Sequence, residues 1–284
     1  MKKLLFLGIL FLSQSLYAQF PLTKDLTAKY ELISNYNQTK YIVEVSLPVR
    51  YDASKKYPVY YILDGYYAAS IAHGVNRALQ LENSIEEIIV ATISGPETTS
   101  SEWLKNRWPD YTFSKDTLND VGYAKAMGLP AGSTISGKGD QFLLTLTKQI
   151  FPLIENKYGF NGNRGISGHS LGGQMVANLM FKTPELFNRY GINSSSQRLT
   201  LNNEIRTIEK NYAASHKEYN AKVFLSFGSL EPKDAIEDLR YFDGQLTSHY
   251  QNIQTKFVEF SDETHVSVIP AMLTKCMWYL YKKN

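Results

Sequence analysis

A Gly-x-Ser-x-Gly sequence is the feature of this chain whose residue types and spacing most directly imply chemistry. Gly168-His169-Ser170-Leu171-Gly172-Gly173 follows a short apolar segment and precedes residues with a helical period. A serine between a strand and a helix occupies a strained turn that exposes its hydroxyl, and the flanking glycines avoid collisions with neighbouring backbone. We therefore predict that Ser170 is a nucleophile and that Gly168 and Gly172 are required for steric reasons.

A serine hydroxyl is a poor nucleophile at neutral pH, so it needs a general base within hydrogen-bonding reach. Of the five histidines, His265 lies late in the chain, in a polar loop between the strand-like residues 256–260 and the last helix. In open α/β sheets, ligands bind where the carboxyl ends of the strands meet. Chain order and loop placement therefore predict His265 as the base.

An acid should follow the preceding strand, where it would orient the imidazole and stabilise the imidazolium. Glu231 is the first carboxylate after the strand-like residues 223–227 and is predicted for this role. Asp234 and Asp238 are alternatives about one helical turn further along. The alternative is that Glu231 has no catalytic role and is a solvated acid at the start of a helix, where the helix dipole stabilises its negative charge.

An acyl-transfer reaction also needs backbone N–H donors for the oxyanion that develops on the carbonyl. The N–H that follows the nucleophile belongs to Leu171. A second donor is expected from an early strand-to-helix loop, where Asp64-Gly65 allows the chain to turn and aim the N–H of Tyr66 inward. Leu171 and Tyr66 are therefore the predicted oxyanion hole.

Strand-like and helix-like segments alternate along the chain and would position these residues. Apolar or alternating runs predict strands at residues 41–47, 57–63, 88–93, 164–167 and 223–227. Segments of helical period predict helices at residues 142–158, 171–182, 236–250 and 268–281. This alternation predicts an α/β fold with a mostly parallel central sheet and helices on both faces.

Residues 94–138 interrupt the alternation with a segment rich in small and polar residues and in scattered aromatic side chains, including Trp103. Long loops inside compact domains tend to be functional, so we predict an irregular loop insertion over the active site. A passive surface excursion is the alternative. If the segment covers the site, Trp103 becomes a candidate substrate contact, although aromatic clusters also simply pack together.

The N-terminus and the composition limit where the chain works and what it binds. Lys2 and Lys3 precede a short apolar run, which predicts a signal peptide over residues 1–18, export to the periplasm or medium, and no stable membrane insertion after cleavage. An uncleaved anchor is the alternative.

Residues 19–284 are predicted to form one domain. A formal charge of +3 indicates no nucleic-acid partner, and the histidine spacing predicts no metal or other cofactor.

The chain resembles the esterase D-like family of α/β hydrolases from about Tyr41 to Tyr281. The resemblance rests on residues 57–65 (YPVYYILDG), 136–143 (SGKGDQFL), 164–173 (RGISGHSLGG) and 264–270 (THVSVIP). It implies the α/β-hydrolase fold and a serine esterase that acts through an acyl-enzyme. In this family the acid lies three residues after a glycine, which matches Gly228 and Glu231, although some siderophore esterases use only a Ser-His pair.

The resemblance also bears on substrate recognition. An arginine, an acidic residue and a tyrosine in the long loop of the family correspond to Arg107, Asp110 and Tyr111, so Arg107 and Tyr111 are predicted substrate contacts, together with Trp103 and His169. Periplasmic siderophore-type esterases are the most similar group, which implies siderophore or aryl and feruloyl esters, small or glycan-linked, as substrates. An acyltransferase and a catalytically silent binding protein are the alternatives.

Overall fold

The computed structural model describes residues 26–195 and 204–283, which contain an eight-stranded sheet in the order β1-β2-β4-β3-β5-β6-β7-β8. The strands are β1 Thr27–Ile33, β2 Lys40–Ser46, β3 Tyr57–Ile62, β4 Ile89–Ser94, β5 Phe160–His169, β6 Arg189–Asn193, β7 Glu218–Gly228 and β8 Gln251–Phe260. In this sheet order, every neighbouring pair in the run β4-β3-β5-β6-β7-β8 is parallel. Strand β2 is antiparallel to both β1 and β4. The predicted α/β class with a mostly parallel sheet is confirmed.

The helices cover both faces of this sheet. They are α1 Gly65–Leu81, α2 Ser100–Asp110, α3 Thr117–Ala126, α4 Gly139–Thr145, α5 Phe151–Tyr158, α6 Leu171–Lys182, α7 Glu204–Ser215, α8 Lys233–His249 and α9 Ile269–Tyr281, and a π-helical turn at Leu146–Ile150 joins α4 to α5. Every residue of β3 is buried, as expected for a strand covered on both sides. Tyr60 and Ile62 belong to the apolar cluster that contains α1 and α9, and Tyr61 and Leu63 belong to the cluster that contains α6.

The insertion between β4 and α4 contains two helices, so the prediction of an irregular loop for residues 94–138 is wrong. Helix α2 begins with a capping box, in which Thr99 Oγ1 accepts from the N–H of Glu102 and the Glu102 carboxylate accepts from the N–H of Thr99. Helix α3 begins after Asp116, whose carboxylate accepts from the N–H groups of Leu118 and Asn119. These caps pair backbone N–H groups that have no partner within the helix. They stabilise two helices whose apolar pattern is too weak to predict them from the sequence.

Residues 1–18, the predicted signal peptide, lie outside the described residues. Within residues 26–195 and 204–283, the structure contains no helix that is long and apolar enough to cross a membrane.

Candidate active site

Ser170 lies on the turn between β5 and α6. Its backbone has φ 58° and ψ −122°, which is uncommon for a residue with a Cβ atom. The N–H of Ser170 donates to the carbonyl of Asn193 on β6 at 2.9 Å, so the neighbouring strand holds the turn in place. The geometry is that of a strand-to-helix turn that presents the serine at the carboxyl edge of the sheet.

The glycines around Ser170 are required by close contacts. A Cβ atom on Gly168 would lie 2.2 Å from the backbone carbon of Gly172, which agrees with the predicted backbone collision. At Gly172 the prediction needs correction, because the closest obstacle is the carboxylate of Asp64, 2.8 Å from the added Cβ, and not backbone. Gly172 therefore allows the turn that carries Ser170, here called the elbow, to lie close to the loop that follows β3.

His265 and Glu231 lie in the loops after β8 and β7. His265 Nδ1 donates to Glu231 Oε2 at 2.5 Å. Glu231 is buried, and its other oxygen, Oε1, accepts from Ser194 Oγ at 2.7 Å and from the N–H of Gly228 at 2.8 Å. With both oxygens held, the carboxylate has a fixed orientation, whereas the side chain of His265 is 46% exposed.

The two alternative acids lie in other environments. Asp234 is exposed in the first turn of α8. Asp238 is buried and forms an ion pair with Arg206 of α7. Glu231 is therefore the candidate acid that contacts the imidazole of His265.

Ser170 and His265 line the same cavity, which has a volume of about 560 Å³. Leu171 and Tyr66, the predicted oxyanion donors, also line it. Leu171 is the first residue of α6 and Tyr66 is the second residue of α1, and the first N–H groups of a helix have no partner within the helix. Two positively polarised helix ends thus meet at the cavity, which suits an oxyanion.

Arg107 of α2 forms a buried, bidentate ion pair with Asp64. Arg107 Nε donates to Asp64 Oδ1 at 2.8 Å, and Arg107 Nη2 donates to Asp64 Oδ2 at 2.7 Å and to the carbonyl of His169 at 3.2 Å. Asp64 also accepts from Trp103 Nε1 at 3.0 Å. Because Asp64 is two residues before Tyr66 and His169 is next to Ser170, the pair connects the β3 loop, the elbow and α2.

The resemblance predicts Arg107 as a substrate contact, and the structure places it at the cavity with its guanidinium in an ion pair. The residue lines the cavity, but its guanidinium is engaged by Asp64 and His169. Sequence reasoning treated Asp64 only as part of a turn. The signal that it missed was an acidic residue at a strand end together with an arginine in the insertion, a combination that only the folded chain brings together.

The other predicted substrate contacts differ in position. Trp103 lines the cavity, with its ring stacked on that of Tyr66 at 5.9 Å between centroids. Tyr111 does not line this cavity: it is buried, and its hydroxyl accepts from the N–H of Asp64 at 3.2 Å. Asp110 accepts from Tyr41 Oη at 2.6 Å. The aromatic and acidic residues at the end of α2 thus support the loop after β3.

His169 also lines the cavity, with its ring centroid 4.5 Å from that of His265. Burial lowers the pKa of His169 well below its usual value, and the neighbouring His265 and Arg107 lower it further. The ring is therefore neutral at physiological pH. Among the described residues, no group of three or more His, Cys, Asp or Glu side chains could hold a metal ion.

Residues 34–267 match a protein-family model described as "Putative esterase". The chain belongs to this esterase family. It is accordingly a carboxylic ester hydrolase. The chain is 26% identical over 257 residues to the ferri-bacillibactin esterase BesA of Bacillus subtilis (strain 168), with 86% of this chain and 85% of that protein covered.

Solved structures share the fold. The BES protein from Bacillus cereus superposes with a TM-score of 0.76 at 23% identity and covers 92% of this esterase chain and 96% of its own. The siderophore hydrolase EstB from Aspergillus nidulans superposes with a TM-score of 0.74 at 18% identity and covers 92% and 97%. Together with the sheet described above, these likenesses confirm the α/β-hydrolase fold.

Proposed function

We propose that this chain is a serine esterase that hydrolyses its substrate through an acyl-enzyme on Ser170. The observation that carries the proposal is that Ser170 and His265 line one cavity while Glu231 holds His265 from behind at 2.5 Å. A nucleophile, a base and an orienting acid in this arrangement are the requirements for acyl transfer at neutral pH.

In the first half of the proposed reaction, His265 Nε2 takes the proton of Ser170 as Oγ attacks the ester carbonyl. The bond from Oγ to the carbonyl carbon forms, and the carbonyl π electrons move to the oxygen, where the N–H groups of Leu171 and Tyr66 stabilise the charge. The intermediate then collapses, and the alcohol leaves with the proton from the His265 imidazolium. Glu231 remains ionised and stabilises that imidazolium.

In the second half, water replaces the alcohol. His265 removes a proton from the water as it attacks the acyl carbonyl, and the proton is returned to Ser170 Oγ when the carboxylic acid is released. The same two N–H groups serve both tetrahedral intermediates, so the enzyme needs one oxyanion hole.

The names of similar proteins suggest the first substrates to test. One is named a ferri-bacillibactin esterase and another a siderophore hydrolase. We propose siderophore and aryl esters as the classes within which the substrate lies. We also propose that the enzyme acts after export, because Lys2, Lys3 and the apolar residues 4–12 have the pattern of a signal peptide.

A turnover screen of the purified protein against catechol-trilactone, feruloyl, acetyl and short-chain aryl esters tests the proposal. We expect hydrolysis of at least one class and its loss in Ser170→Ala. Ser100→Ala is the matched control, because Ser100 lines the same cavity without any proposed role, and should keep its activity. Product analysis in the presence of added alcohols distinguishes hydrolysis from acyl transfer. Full activity of Ser170→Ala would refute the proposed nucleophile.

A further inference from the structure

The cavity next to Ser170 has aromatic and aliphatic walls. Tyr66 stacks on Trp103, and Trp108 stacks on Tyr123 with ring centroids 4.0 Å apart and planes 16° from parallel. Aliphatic side chains complete the lining, among them Leu104, Met127, Val266 and Ile269. A group bound here would be covered mainly by carbon atoms.

The polar side-chain atoms of Trp103, Trp108 and Tyr123 already have partners. Trp103 Nε1 donates to Asp64 at 3.0 Å, Trp108 Nε1 donates to Asp120 at 2.7 Å, and Tyr123 Oη donates to the carbonyl of Leu104 at 2.9 Å. The tryptophan N–H groups are therefore not available to a charged ligand group.

Away from His265 and the two helix ends beside Ser170, the described lining of the cavity contains no cation without a partner. Within the part of the chain that the structure describes, Arg107 is the one lining residue with a permanent charge, and Asp64 neutralises it with two hydrogen bonds. His169, beside it, is held neutral by burial. The lysines of the two insertion helices, Lys105 and Lys125, are exposed and do not line the cavity.

From this lining we infer that the cavity binds an uncharged aromatic or alkyl group of the ester and excludes groups that carry a negative charge. The inference rests on the proposed esterase function and names the substrate class of the same site. An anionic group entering the cavity would lose its hydration without gaining a counter-ion, whereas an uncharged aryl group would gain contact with the ring faces.

Three 4-nitrophenyl esters test this inference in the purified enzyme. Their acyl group is 3-phenylpropanoyl with a methyl, a carboxamide or a carboxylate at the para position, so the leaving group and the reacting carbonyl stay the same. We expect kcat/KM for the carboxylate to be about 100-fold lower than for the methyl compound, with the carboxamide between them. The carboxamide separates the effect of polarity from that of charge.

A charge placed in the wall provides the complementary experiment. Met127 is 42% exposed and lines the cavity, so Met127→Lys can be accommodated and adds a cation to a lining whose described residues include no Asp or Glu. We expect it to raise the carboxylate-to-methyl ratio of kcat/KM about tenfold at low salt and less at high salt. Met127→Gln is the matched control and should leave the ratio within about twofold of the wild type.

The outcomes separate this inference from the proposed function. Equal or faster turnover of the carboxylate ester by the wild type, lost in Ser170→Ala, would overturn the inference and leave the serine esterase proposal intact. Turnover that persists in Ser170→Ala would refute the proposed function, and the inference would fall with it.

Discussion

Glu231 Oε2 lies 2.5 Å from His265 Nδ1, although the two residues are 34 positions apart in the chain. The parallel pairing of β7 with β8 produces this proximity, because Gly228 and Phe260 are register partners at the strand ends and the two loops leave the sheet together. The N–H of Ser229 also donates to the carbonyl of Phe260 at 2.8 Å. The pairing of these two strands thus places the proposed acid next to the proposed base.

If Glu231 orients His265, then Glu231→Gln should lower kcat by about 10³-fold or more with little change in KM, because the amide cannot hold the correct imidazole tautomer or stabilise the imidazolium. Steady-state kinetics on an aryl ester measures this. Asp234→Asn, in the exposed first turn of α8, is the control and should change kcat less than about twofold. A Glu231→Gln enzyme that keeps more than about a tenth of kcat would show that the acid is dispensable.

The buried ion pair of Asp64 with Arg107 predicts strong coupling in a double-mutant cycle. Arg107→Met should reduce the free energy of unfolding by about 3–5 kcal/mol, because it leaves the Asp64 carboxylate buried without its counter-ion. Adding Asp64→Asn should recover part of that loss. Urea unfolding of the two single variants and the double variant measures the coupling, and strictly additive effects would contradict the role assigned to the pair.

The contact at Gly168 predicts a site-specific effect of adding one methyl group. Gly168→Ala should abolish esterase activity and destabilise the fold, because its Cβ would lie 2.2 Å from the backbone of Gly172. Gly74→Ala is the control, since nothing lies within 4 Å of its added Cβ and the residue is inside α1. That variant should raise the free energy of unfolding by about 0.5–1 kcal/mol. Normal activity in Gly168→Ala would contradict the tight elbow.

Asp110 predicts a pH-dependent stability. Burial raises the pKa of its carboxyl from 3.8 to about 7, although the hydroxyl of Tyr41 lowers it in part. Between these values the folded chain holds a proton that the unfolded chain has lost, so the contribution of Asp110 to stability falls as pH rises from about 4 to about 7. Relative to Asp110→Asn, the wild type should lose about 4 kcal/mol across this window in urea unfolding. A difference that does not change with pH would contradict a protonated Asp110.

Much of the fold could be predicted because several elements have strong periodic patterns. The six residues of β3 are apolar and fully buried, and α6 was predicted with the observed bounds, Leu171–Lys182. Two strands were missed. β6 has five residues and includes Gly191, so its pattern is too short to recognise, and β1 lies at the sheet edge with no fully buried residue. These strands are specified by pairing with their neighbours, which a local pattern does not contain.

In the candidate site too, some residues could be predicted from the sequence and some contacts could not. Ser170, His265 and Glu231 were predicted from chain order relative to strands, and the fold makes that order meaningful because parallel strands end at one edge. The contacts of Arg107 and Tyr111 with Asp64 were not predictable from chain order. Both depend on Asp64, which approaches α2 only after the chain has folded.

The most direct test of the proposed mechanism is mass spectrometry of the folded, active protein after reaction with a fluorophosphonate, which captures a serine activated by a neighbouring base. We predict a single covalent adduct, mapped by peptide sequencing to Ser170 and formed in step with the loss of esterase activity. An active enzyme that loses its activity while the adduct forms on another residue, or one that stays fully active with Ser170 modified, would contradict the account.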